Sequence, residues 1–371
     1  LQFQKSYMLS ANSKFISKFF NKSIVELTRI KSEPIQLKLQ RNFEYFQKQN
    51  STGGLVSQLM NLNLDKNSLS ELVEQFSSIS ATTREQLEEE HHGNTLLKAH
   101  NFQNLRDMLL RDLQKGAGTT TARYSIHYLQ FEIIVPFPLN CLISKPFVVQ
   151  YQIIQRHLLL LHYYNKILED TWFEINKNKI WKYRQFPIEV HQWIRHCRIL
   201  HDKMTQFMKL VMEYMVHGVV DKEWRSLNEY LTENDNHHIY QCSLKLQNFL
   251  TNVMAHSLLT NSSLIKLELQ IMEIVHKYCK FVTSLRKTLC LMDHDLFTRY
   301  KDQLQDAEFD ETWALDKFQE LDRYLRLVST SFHQHLVAFV EGVRYYSDHG
   351  SGGSQGNVVM ALAERLSSYV S

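Results

Sequence analysis

The sequence predicts an all-α protein of long-helix bundles stacked end to end, with one short β segment near 124–135. Three observations predict it. Only 11 glycines and 5 prolines occur in 371 residues, well below ordinary usage, so the chain has few places to turn and must consist of few, long elements. Apolar residues recur every three or four positions over long stretches, as the helical period requires. Strand character gathers in one place only.

Residues 9–48 read as two helical stretches, broken near Ser32, Glu33 and Pro34. Pro34 suits the first turn of the second, where its missing N–H does no harm. A loop follows at 50–54, with short helices expected at 55–63, 67–79 and 83–90 and a solvated end at 88–93. Another helix is expected at 95–115, stopped by Gly116 and Gly118. Tyr124, Ile126, Tyr128, Leu129, Phe131, Ile133 and Val135 then alternate in part, up to Pro136 and Pro138. A lone strand is not stable, so this one must pair locally or lie extended over a helical layer.

Pro146 opens a helix reaching about Trp172, with apolar residues around its whole circumference, which marks a central, buried helix. Residues 174–186 form a polar, basic loop. Three long stripes follow at helical spacing. The first runs through Cys197, Leu200, Met204, Phe207, Val211 and Met215. The second carries Leu264, Leu267, Ile271, Ile274, Tyr278, Phe281, Leu285 and Leu289. The third carries Ala314, Phe318, Leu321, Leu325, Val328, Phe332, Leu336, Phe339 and Val343. A helix at 235–256 lies between the first two, and a flexible loop at 350–356 precedes a closing helix at 358–370. The expected organisation is a first bundle over 1–120 and a second bundle region over 121–371, built on the 146–172 helix.

Chemistry is hard to find. A near-balanced charge of +3 argues against a general nucleic-acid binder. No apolar run reaches the roughly 18 residues that span a bilayer, so no membrane partner is expected. The five cysteines include no closely spaced pair, which suits reduced thiols in the cytoplasm better than a disulfide framework or a zinc knuckle. The chain starts at Leu1 without a signal-peptide pattern and reads as a piece of a longer protein. No glycine-rich phosphate loop occurs. Cys197 and His201 are a workable ligand pair four residues apart, but no second pair accompanies them. There is no nucleophile elbow, and Asp293 or Asp295 is expected to cap a helix rather than drive a relay. No cofactor, no metal and no enzymatic activity are expected.

A first segment with a family resemblance runs over 131–172. Phe131 to Lys145 reads FEIIVPFPLNCLISK, and 151–161 reads YQIIQRHLLLL. The extended apolar stretch, the Pro-Leu pair and the long helix with Tyr-Gln and an arginine resemble the gamma-tubulin complex proteins. A second match spans 201–231, from HDKMTQF to the acidic-Trp pair Glu223 and Trp224; a third is 250–289, with Leu258 and Leu259 before a long helix. The likeness covers about 128–292 and is closer to the component-2 type, a spindle-pole-body subunit of fungi, than to component 3. It implies a helical C-terminal module that binds gamma-tubulin and assembles beside component-3-type subunits to nucleate microtubules from the cytoplasm at a microtubule-organising centre. It also implies that GTP belongs to gamma-tubulin and not to this chain. The alternative is a helical-rod subunit of a vesicle-tethering complex, which would share the long amphipathic helices but not the strand and Pro-Leu segment feeding an apolar helix.

Lys177, Lys179, Lys182 and Arg184 carry four positive charges with no acid between Glu174 and Glu189, and Trp181 and Tyr183 are interleaved with them. Tubulins are acidic, so this loop is a candidate gamma-tubulin contact through Lys179, Trp181, Lys182 and Arg184. Phe137, Leu139 and Lys145, from the proline-rich turn, are candidates to extend it. The competing reading is a solvated loop whose tryptophan is tucked against its own bundle.

Overall fold

The computed structural model describes residues 9, 13–49, 60–76, 124–137, 139–233, 238–300, 311–349 and 354–370. Helices dominate them. α1 (Ser13–Leu27) and α2 (Glu33–Gln49) open the chain, and α3 (Lys145–Lys177), α4 (Ile188–Glu213) and α5 (Asp221–Glu233) follow. Then come α6 (Ile239–His256), α7 (Ser262–Cys290), α8 (His294–Tyr300), α9 (Glu311–His349) and α10 (Ser354–Val370). A further helical stretch lies at 69–76. The helices expected at 83–90 and 95–115, the loop at 50–54 and the bundle boundary at 120/121 fall outside the described residues. The chain divides into two compact units: Leu1–Tyr163 with Met212–Lys266, and Tyr164–Val211 with Leu267–Ser371. The divisions fall inside α3, α4 and α7.

In the first unit, α1 buries Phe15, Phe19, Ser23 and Leu27, one residue per turn. β2 (Leu129–Ile133) pairs antiparallel with β1 (Met60–Leu64), Leu62 opposite Phe131. The helix expected over 55–63 is thus a strand at its C-terminal end. Met60, Leu62 and Leu64 are buried while Asn61 is exposed and Asn63 half-buried, a period of two that only a strand produces. The remaining edge of β1 is covered by α2. Gln47 Nε2 donates to the Met60 carbonyl at 2.9 Å and Gln40 Nε2 to the Leu62 carbonyl at 3.2 Å. These are the outward carbonyls of alternate residues, which an open edge would leave exposed. Beneath the sheet, Phe43 stacks on Phe131 with ring centroids 5.1 Å apart, and Phe15 and Phe19 meet Phe43 edge-on.

α3 fulfils the expectation of a buried helix and runs five residues past Trp172, to Lys177. All nine residues over 153–161 are buried. Three of them are polar: Gln155, Arg156 and His157. Arg156 is matched by three oxygens. Its Nη1 donates to the Asn67 carbonyl at 2.9 Å; its Nη2 donates to Asp65 Oδ2 at 2.6 Å and to Gln130 Oε1 at 2.5 Å. One side chain of α3 therefore holds both the turn after β1 and the second residue of β2.

After α4 the chain continues as a π-helical stretch, Tyr214–Val220, into α5. The Tyr214 hydroxyl donates to the His256 carbonyl at 2.7 Å, satisfying one of the unpaired carbonyls at the end of α6. α6 itself ends with Leu259 N–H bonding back to Met254 and Leu258 N–H to Ala255. This is the closed C-terminal turn that normally takes glycine in the left-handed conformation. Leu258 adopts it here at φ 61°. The conformation costs about 1–2 kcal/mol. Burial of the leucine side chain, which is 3% exposed, returns about 1.5–3 kcal/mol, so burial wins.

In the second unit the long stripes lie inside as expected. Cys197, Leu200, Met204, Phe207 and Val211 of α4 are buried, as are Leu321, Leu325, Val328, Phe332, Leu336, Phe339 and Val343 of α9. Phe207 meets Phe332 and Phe339 edge-on at 6.3 and 5.9 Å. Asp293 caps α8, its Oδ1 accepting from the Leu296 N–H at 3.0 Å. Burial pushes His276 down to about 4, with Lys280 adding to the effect, so the imidazole is neutral at physiological pH.

Leu158 and Leu161 are fully buried. Leu158→Ala and Leu161→Ala should each lower unfolding free energy by about 2–5 kcal/mol. Denaturant unfolding measures this; losses under about 0.5 kcal/mol for both would place α3 on the surface.

Candidate functional site

The seven candidate residues fall into two groups, one in each compact unit. In the first unit, β2 is buried over Leu129, Gln130 and Phe131, where the sheet and Arg156 hold it, and then emerges. Ile134 is 53% exposed, Phe137 81% and Leu139 51%. A 3₁₀ turn, Leu139–Cys141, leads to α3, whose first residue, Lys145, is exposed. The strand thus delivers three large apolar side chains and one cation to solvent along about twelve residues.

In the second unit, the basic loop is built outward from the end of α3. Asn178 Nδ2 donates to Glu174 Oε1 at 2.8 Å, and Asn178 Oδ1 accepts from the Ile180 N–H at 3.1 Å, starting a 3₁₀ turn over Ile180–Lys182. Glu174 also receives both arms of Arg286, Nε at 3.1 Å and Nη2 at 2.5 Å. Burial alone would raise the Glu174 carboxyl, but the Arg286 and Asn178 hydrogen bonds outweigh it and hold the group below its usual range.

The turn then sorts its residues. Ile180, Trp181 and Phe186 are buried; Lys179, Lys182 and Arg184 are exposed. Trp181 stacks nearly parallel on Trp193 of α4, centroids 6.4 Å apart, and Trp193 meets Phe281 and Phe318 edge-on. Trp181 is therefore the seat of the loop, and the cations are what solvent meets. Phe186 and His191 pack ring against ring, and His191 Nε2 lies 3.3 Å from the Arg184 carbonyl, so the loop folds directly onto the first turn of α4.

The other segments that resemble the gamma-tubulin complex proteins are structural joints. His201 is buried with Nε2 3.0 Å from the Leu168 carbonyl, so the Cys197 and His201 pair lies in the core. Glu223 accepts from Asn252 Nδ2 at 3.1 Å and lies 3.5 Å from His256 Nδ1, while Trp224 meets Phe249 edge-on. The acidic-Trp pair thus fastens α5 to α6, and the His256 contact, ahead of the burial that opposes it, holds the Glu223 carboxyl below its usual range. Among the described residues no three His, Cys, Asp or Glu side chains form a metal-ligating group, and no helix is long and apolar enough to cross a membrane.

Comparison with known proteins gives a consistent picture. The family model for the gamma tubulin complex component C-terminal region matches residues 1–368. Spindle pole body component SPC97 of Saccharomyces cerevisiae is 33% identical over 354 residues, covering 88% of this chain and 42% of that protein. Spindle pole body component alp4 of Schizosaccharomyces pombe is 25% identical over 214 residues, 57% of this chain and 25% of that protein. Gamma-tubulin complex component 2 of Mus musculus is 25% identical over 150 residues, 39% of this chain and 15% of that protein. The chain thus spans less than half the length of each of these relatives.

The seat and the surface should separate on mutation. Trp181→Ala should cost about 3–5 kcal/mol, the range for a buried aromatic; Lys182→Ala should stay within about 0.5 kcal/mol. Equal, small effects in denaturant unfolding would contradict the assignment of Trp181 as the seat.

Proposed function

The chain belongs to the gamma tubulin complex component C-terminal family, and on that premise we propose that it is a gamma-tubulin-binding scaffold in a microtubule-nucleating complex of a spindle pole body or similar organising centre. The observation that carries the reading is the family match over 1–368, backed by relatives named as spindle pole body components and as gamma-tubulin complex component 2. It favours this reading over a vesicle-tethering rod.

The physics of the surface supports a binding role. Arg156, Glu174 and Glu223 are engaged in joints within the fold, while Lys179, Lys182, Arg184, Phe137 and Leu139 are exposed. Lys179, Lys182 and Arg184 would steer an acidic partner and raise its association rate. Trp181 fixes where those charges stand, so less order is lost on binding. In the first unit, Phe137 and Leu139, with Lys145 behind them, offer apolar area for a contact of their own. Whether both groups serve gamma-tubulin, or one serves a neighbouring component-3-type subunit, is the division of labour that mutation resolves. Within this proposal the chain performs no chemistry of its own and holds gamma-tubulin in a fixed orientation.

The test is retention of purified gamma-tubulin and of αβ-tubulin on the immobilised chain. We expect selective retention of gamma-tubulin that weakens with salt. Reversing Lys179, Lys182 and Arg184 to glutamate should weaken it about tenfold or more and leave the unfolding midpoint unchanged. Undiminished binding by that variant would move the contact off the loop. No retention by the parent would contradict the scaffold reading.

A further inference from the structure

The basic loop is not an isolated run of charge. From 177 to 209 the chain carries eight lysines and arginines against two carboxylates, a local net charge of +6 in a chain whose total is +3. Among the described residues no ion pair joins any of these eight to a carboxylate. Elsewhere the same chain does pair its surface cations, as with Lys166, Lys317 and Arg326. Lys177 lies over the Phe173 ring at 4.3 Å, and Asp293 and Asp295 stand near Tyr183; the other cations of these 33 residues make no ion pair among the described residues and leave a net positive field.

α4 arranges that charge. Its buried face runs through Val190, Trp193, Cys197, Leu200, Met204, Phe207 and Val211. The opposite face is set by the 100° step of the helix. Ile188, Arg195 and Ile199 lie on one line there, within about 40° of arc, with Lys203 on one side and the exposed Asp202, which accepts from Gln206 Nε2 at 2.8 Å, on the other. Ile188 is 68% exposed and Ile199 47%, eleven residues and three turns apart. A single exposed isoleucine is ordinary. Two on the same line of a helix, with Arg195 between them and Lys203 and Asp202 at the sides, form an apolar strip with a net positive border, and apolar side chains with arginine are common at protein interfaces. An exposed tryptophan flanks the same helix: Trp172 of α3 is 45% exposed and packs on His201 with centroids 5.6 Å apart. The loop runs into this strip without a gap, because the Arg184 carbonyl meets His191 on the first turn of α4.

We infer that the outward face of α4, through Ile188, Arg195, Ile199 and Lys203, is the main body of the gamma-tubulin contact and that the basic loop is its entrance. The inference rests on the scaffold reading above. The face takes an acidic protein surface that presents carboxylates around an apolar ridge about three helical turns long. The loop supplies long-range steering; the helix supplies the short-range fit. Because α4 buries its other side, the strip is rigid before the partner arrives.

Two variants of the full chain test it with purified gamma-tubulin. One is Ile188→Ser with Ile199→Ser; the other is Arg195→Glu with Lys203→Glu. All four side chains are exposed, so both variants should keep the parent's unfolding midpoint. The serine pair should weaken binding about tenfold and keep the parent's salt dependence; the glutamate pair should weaken it at least as much and flatten that dependence. Parent-like binding, within about twofold, by both variants overturns the inference and leaves the scaffold reading standing. A parent that retains heparin or duplex DNA but not gamma-tubulin, or that retains nothing, overturns both.

Discussion

The first unit depends on one buried cation. Arg156 is 2% exposed, on the stretch of α3 where every residue is inside. An ion in that position costs several kcal/mol unless its hydrogen bonds are met. Three oxygens accept from Nη1 and Nη2, while the buried Nε has no partner among the described residues, and they come from two distant parts of the chain: Asp65 and Asn67 in the turn after β1, and Gln130 in β2. The requirement works as a constraint on geometry. An apolar helix surface alone would accept the two-stranded sheet in many positions, since hydrophobic attraction has little direction. A guanidinium with fixed N–H directions accepts few. The arginine therefore sets where β2 leaves the core and where Ile134, Phe137 and Leu139 reach solvent.

The same division recurs in the second unit with different chemistry. Glu174 ties the end of α3 to Arg286 on α7 and, through Asn178, starts the turn that buries Trp181. Trp181 and Trp193 then form a rigid floor under the loop. A loop of free cations would lose entropy to order on binding; this one is ordered beforehand by Glu174, Asn178 and the buried Trp181. In both units, polar groups within the fold, Arg156 in the first and Glu174 with Asn178 in the second, place the exposed candidate residues.

The long helices are legible in the sequence because their stripes repeat for about five turns or more, far beyond what chance spacing allows. The all-round apolar character of 146–172 marked α3 as buried for the same reason. β1 was not legible. Its alternation lasts only five residues, its outward positions are asparagines, and its partner lies 65 residues or more along the chain. What makes it a strand is the far pairing and the glutamines of α2, which no local window contains. In the sequence Leu258 is only half of a Leu-Leu pair; its left-handed backbone is set by burial, a tertiary effect. Of the interface candidates, the cations were legible as a run of charge, but composition gave no means to tell that Trp181 points inward. That depends on Trp193, twelve residues on, and on Phe281 and Phe318 from other helices. The α4 face is hidden because two isoleucines beside nine buried apolar residues of the same helix look like core until the helix is oriented.

The account stands most directly on the Arg156 clamp, and a double-mutant cycle measures it. Arg156→Met and Asp65→Ala are made singly and together, and unfolding free energies are taken from denaturant titrations. Arg156→Met should cost about 3–5 kcal/mol, because it leaves buried acceptors without donors. The double variant should be less destabilised than the sum of the singles by about 2–3 kcal/mol, the coupling of two groups in one network. Singles that each cost under about 0.5 kcal/mol and add without coupling would show that α3 and the sheet hold together without the arginine, and would contradict the account.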